Sequence, residues 1–214
     1  MFKKKYKNIA VLDFRDYSAE ALKKIKSMEN VACLILPKNV DEAWTNELSN
    51  IEIKNCATRI YLEPGENVHK INGASVLDDD SVVDGEKYLL NGAAVIATKE
   101  KKPILYVNGA AVALGGANYS VEDLNGTLIK AEPKGEYRVY PNYVKINASM
   151  LENLPDNFTV VVGNSVEIEA DVTESLLKEK RIFFVAGNSV LCRREIYGYV
   201  GANSQVGNTV KEIK

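Results

Sequence analysis

Apolar positions recur along this chain at two rhythms. Near the N-terminus Ile9-x-x-Leu12-x-Phe14 returns 22 residues later as Val31-x-x-Leu34-x-Leu36, with Asn39 after it, and a third copy reads Leu48-x-x-Ile51-x-Ile53-x-x-Cys56. The alternating pair that closes each copy puts two side chains on one face of a short strand. Between the strands, helices are predicted from Ser18 to Lys26 and from Asp41 to Leu48, each opened by an N-cap residue and an acidic first turn. Leu22 and Ile25 share one face of the first. Near the C-terminus Ser149–Asn153 leading into Val160-Val161-Val162-Gly163-Asn164-Ser165-Val166 is echoed by Ser175–Glu179 leading into Phe183-Phe184-Val185-Ala186-Gly187-Asn188-Ser189-Val190. Tyr197-Gly198-Tyr199-Val200-Gly201 and Val206-Gly207-Asn208-Thr209-Val210 read as final strands that cap the array.

The middle of the chain has the other rhythm. Asn72-Gly73, Asn91-Gly92, Asn108-Gly109 and Asn125-Gly126 stand 19, 17 and 17 residues apart, each between apolar runs. Asn-Gly supplies a positive-φ bend. Hairpins of an antiparallel sheet and corners of a strand-only solenoid both use it, and the even spacing favours the solenoid.

The pattern L-x-x-L-x-L-x-x-N/C is that of leucine-rich repeats, and the last two copies fill every position of it, so the segment 9–56 resembles a short leucine-rich-repeat array. The fold class this implies is α/β: a single solenoid domain over residues 1–214 built of parallel strands. Its parts are leucine-rich-repeat-like units over 1–60, Asn-Gly-cornered, β-helix-like strand coils over 61–146, and helix–strand units with a C-terminal cap, including Lys211 and Lys214, over 147–214.

Composition narrows the function classes. Apolar residues at 46% and charged residues at 26% are a globular balance, and a net charge of −2 supplies no field for phosphate backbones or anionic lipid. The expectation is therefore no nucleic-acid and no membrane partner. The basic cluster Lys3-Lys4-Lys5 with Lys7 reads as a solvated end. The apolar stretch after it is too short for a signal peptide, which predicts a cytoplasmic protein. Cys33, Cys56 and Cys192 are odd in number and lack C-x-x-C spacing, so reduced thiols are expected rather than disulfides or zinc ligands.

No residue set declares chemistry, and no catalytic, cofactor-binding or metal residue is assigned. His69, the one histidine, lies in a polar stretch and reads as a surface residue. Asp78-Asp79-Asp80 with Asp84 fails the EF-hand order because Val82 occupies a ligand position and no glutamate follows at the required distance. Gly115-Gly116 belongs to no phosphate-binding motif and reads as a turn. Three segments, 162–167, 168–173 and 206–211, resemble the hexapeptides of left-handed β-helix acyltransferases, but they never run in a continuous coil and no histidine lies near them. Tyr137, Tyr140, Tyr143, Tyr197 and Tyr199 remain, as strand-stabilising pairs or as a binding surface. These features predict a non-enzymatic protein-interaction or scaffold module whose partner is another protein or a second copy. The alternatives are a self-assembling protein resembling bactofilins and, behind it, a β-helix enzyme of the acyltransferase or carbohydrate-active kind.

Overall fold

A computed structural model describes residues 3–213. The chain is strand-rich, every strand pairing is parallel, and contacts divide it into two compact units, residues 1–68 and 69–214. The sequence expectation of one domain thus meets a chain with two contact groups. Among the described residues no helix is long and apolar enough to cross a membrane.

The first unit alternates strand and helix: β1 (Lys4–Asp13), α1 (Ala19–Leu22), β2 (Ile25–Pro37), α2 (Glu42–Ser49) and β3 (Glu52–Leu62), with the strands in the order β1-β2-β3. Ser18 and Asp41 cap the helices, accepting from the Ala21 and Trp44 amides. Helix α1 ends at Leu22, and Ile25 opens β2 instead of sharing a helical face with it. The copies at Ile9 and Val31 stand opposite each other, but the partner of Val31 on β3 is Cys56, and Leu48 lies in α2. The third copy read from sequence is therefore out of register. What fixes the register is a column of asparagines. Asn8, Asn30 and Asn55 all have φ between 52 and 56, a left-handed bend that asparagine tolerates. Their amides link Asn30 Nδ2 to Asn8 Oδ1 (2.9 Å) and Asn55 Nδ2 to Asn30 Oδ1 (3.0 Å). Lys4, Lys5 and Lys7 belong to β1 and are exposed, and Lys7 pairs with Glu29 across the sheet at 2.6 Å.

The second unit opens with a sheet of β4 (His69–Leu77), β5 (Lys87–Ile96), β6 (Ile104–Leu114) and β7 (Ser120–Ala131), in that order. The four Asn-Gly pairs stand side by side in perfect register inside these strands, which excludes the hairpin arrangement. Asparagine amides again chain the strands, with Nδ2 of Asn91, Asn108 and Asn125 each donating to the Oδ1 before it at 3.1, 2.7 and 2.7 Å. Glycine is required beside them: a Cβ on Gly109 would lie 1.9 Å from the Gly92 carbonyl oxygen.

The chain then builds two further four-stranded sheets. One has the order β8 (Glu136–Tyr140), β10 (Phe158–Val162), β12 (Phe183–Ala186) and β14 (Ser204–Val206). The other has β9 (Tyr143–Ile146), β11 (Ser165–Ile168), β13 (Ser189–Cys192) and β15 (Thr209–Glu212). Helices α3 (Ala148–Glu152), α4 (Glu174–Lys180) and α5 (Arg194–Ala202) join successive strand pairs. Residues 136–146, read with the middle segment, thus belong to the C-terminal sheets. Segment 197–201, read as a strand, is helical because Ile196 and Val200, four apart, bury one face while Gly198 and Gly201 face open space. Lys211 lies on β15, and Lys214 lies outside the described residues. The C-terminal sheets lie against the Asn-Gly sheet strand by strand: Cβ atoms built on Gly163 and Gly187 would come 3.3 Å from the backbone of Ala94 and Ala111. Val95, Val112, Val161 and Val185 fill the seam beside them.

Candidate functional site

The residues marked out by chemistry in the sequence are dispersed by the fold. His69 begins β4, its ring stacked on Tyr88 at 4.6 Å with Nε2 3.4 Å from a Glu86 carboxylate oxygen, so its surroundings are those of a packed surface ring. The acidic run has a structural task instead. Asp79 accepts the backbone amides of Lys99, Glu100 and Lys101 at 3.0–3.1 Å, and Asp84 accepts Lys102 N at 2.7 Å. These bonds, that from Lys101 first, hold the Asp79 carboxyl below the usual carboxylate range. Gly115-Gly116 turns the chain out of β6, with Gly116 at φ +73. None of the three cysteines is in a disulfide bond, and Cys33 and Cys192 are buried. Among the described residues no group of three or more His, Cys, Asp or Glu side chains is placed to hold a metal ion.

Two of the tyrosines, Tyr137 and Tyr143, lie on the strands that start the C-terminal sheets. Strand β8 is the edge of one sheet and β9 of the other, and Pro141-Asn142 joins them directly. On these strands inward Val144 and Ile146 alternate with outward Tyr143 and Lys145. Tyr137 is 50% and Tyr143 42% exposed, large values for aromatic rings in strands. The Tyr143 hydroxyl donates to the Glu167 carboxylate, and Lys145 Nζ lies 3.0 Å from it. The hydroxyl and then the ammonium keep Glu167 below the usual carboxylate range. Arg138, also exposed, borders a depression of about 290 Å³ with Ser149, Met150, Asn153 and Leu154 from α3 and the residues after it. The edge therefore presents two aromatic rings, a guanidinium and a methionine beside backbone groups that have no strand to pair with. Arg, Tyr and Met are the residue types enriched at protein interfaces.

The other tyrosines are elsewhere. Tyr140 packs against the apolar core of these sheets, and the Tyr199 hydroxyl donates to Leu177 O at 2.8 Å. Tyr197 is exposed but sits on α5, near the opposite end of the strand order. Arg138 and Met150 gave no sequence signal of their own, since only the pairing of β8 with β10 alone reveals which strand is an edge. Compared with known proteins, the chain matches no family model, no curated protein and no solved structure.

Proposed function

We propose that this protein is a non-enzymatic interaction module of solenoid type, a rigid stack of strands that docks another protein on the edge formed by β8, β9 and α3. The observation that carries this reading is the exposure of Tyr137, Arg138 and Tyr143 on unpaired edge strands. An open edge offers main-chain hydrogen bonds to an added strand, and the rings and guanidinium beside it supply the anchors that dominate binding energy. The near-neutral charge of the chain favours a protein over nucleic acid as that partner. The test is a comparison of proteins retained from cell extract by the wild type and by a Tyr137→Ala, Arg138→Glu double variant with unchanged circular dichroism. Loss of about 2 kcal/mol or more in affinity for one specific partner is expected. An identical set of bound proteins would overturn the reading.

A second reading, self-assembly of the kind seen in bactofilins, draws on the fact that β14 and β15 leave the far ends of the same two sheets unpaired. A parallel register continues across copies without a change of geometry. Light scattering across a concentration series separates the two: an open-ended rise in molar mass favours assembly, and a constant mass removes it.

A further inference from the structure

Two inward columns of the C-terminal sheets end in a charge. In one sheet, parallel register sets Arg138, Val160, Phe184 and Ser204 side by side across β8, β10, β12 and β14. In the other, Ile146 stands beside Ile168 and Cys192 beside Glu212, and the two pairs follow one another in the same register across β9, β11, β13 and β15. Val160, Phe184, Ile146, Ile168 and Cys192 are buried in one apolar core. Tyr140 and Val210, each two residues from a charged one, pack against the same core, so strand alternation aims Arg138 and Glu212 at it as well.

Their surroundings agree. Arg138 borders the depression it shares with Met150 and Leu154, which pack on that core. Glu212, after desolvation, raises the pKa of the buried Cys192 thiol, as a carboxylate near that sulfur must. Both charged residues are exposed, because each stands on a strand that ends its sheet. A parallel ladder has no stop of its own. If β8 and β9 of a second copy were added to β14 and β15, both registers would continue. The added copy's Arg138 would then be covered beside Ser204, and Glu212 would be covered beside the added copy's Ile146. Taking charges out of water opposes that pairing, and an ion pair closed across the junction recovers little of the cost. Lys145 would also meet Lys211, but on the outer face, where salt screens the repulsion.

We infer that Arg138 and Glu212 are end stops, inward charges on the outer strands that keep copies of this chain from joining head to tail into an open-ended stack. Inward-pointing charge is one of the ways in which sheets with open edges escape edge-to-edge growth. The end stops require no docked partner, since they act through the columns that Arg138 and Glu212 terminate. They oppose the self-assembly reading directly.

The test is light scattering of the full chain across a concentration series, for the wild type, Arg138→Val, Glu212→Val and the double variant. Both positions are exposed, so each variant should fold, as circular dichroism will verify. A constant mass is expected for the wild type and for each single variant, which still has one charge to bury. The double variant should grow with concentration past about ten copies, as a contact that does not close requires, and form filaments of uniform width in negative stain. Adding Val210→Lys to the double variant restores an inward charge on β15 and should return the mass to a constant value. Growth of the wild type, constant mass in the double variant, or shapeless aggregates indifferent to Val210→Lys would each overturn the inference. The docking reading fails separately, by an unchanged set of bound proteins, because its Arg138→Glu variant keeps a charge at that position.

Discussion

A hydrogen atom decides several positions in this chain. Gly109 combines φ +142 with a neighbouring carbonyl oxygen 1.9 Å from where a Cβ would stand, and Gly187 meets the Gly163 oxygen at 2.1 Å. Neither obstacle is a side-chain tip that can swing away, so Gly109→Ala should cost about 3 kcal/mol or more in urea unfolding. Gly116 is the control: its φ is also positive, but a Cβ would meet only the Lys99 Nζ at 3.3 Å. Gly116→Ala should cost about 1 kcal/mol. Cys192 shows burial acting on charge. Desolvation, with Glu212 second, pushes its pKa from 9.0 to about 11. The thiolate is thus disfavoured in the folded state, so the stabilising contribution of Cys192 is complete below pH 9 and is lost as pH rises towards 11. Iodoacetamide at pH 8 should leave Cys192 unmodified in the native protein and label it in urea, as peptide mass spectrometry will read.

Between elements, the Asp78–Asp84 segment clasps the connection from β5 to β6. Asp79→Ala should speed amide exchange at Lys99, Glu100 and Lys101, corrected for intrinsic rates, without altering exchange in the first unit. Because the folded carboxyl titrates below its ordinary value, this protection should persist down through the usual aspartate range and fail only as pH falls through the lower, folded value. The elements themselves were unevenly legible. The helices at Ser18 and Asp41 announced themselves by their caps, and the Asn-Gly pairs gave the register of β4 to β7 because the same residue needs recur on every strand. In the first unit the asparagines and not every leucine mark the register: Asn8-Ile9, Asn30-Val31 and Asn55-Cys56 align, and Leu48 does not. Tyr137 and Tyr143 were visible as candidates in the sequence. That β8 and β9 are edge strands was not, because it depends on which distant segments pair to build each sheet.

At the scale of the whole molecule, pairing is non-local throughout, with strand neighbours such as Asn108 and Asn125 separated by 17 residues and Asn30 and Asn55 by 25. Each sheet must therefore close a sizeable loop for every strand added, and refolding by stopped-flow tyrosine fluorescence should take milliseconds to seconds rather than microseconds. The asparagine columns carry a further consequence, a chemical one. In a loose chain the glycine nitrogen of an Asn-Gly pair attacks the asparagine side-chain carbonyl, expels ammonia and closes a succinimide ring. In the folded sheet Asn91 and Asn108 have both ends of their carboxamides engaged by neighbours, and their backbones are fixed in strands. The fold thus preserves the very dipeptides that age fastest, and deamidation at those positions becomes a clock that runs only while the sheet is open.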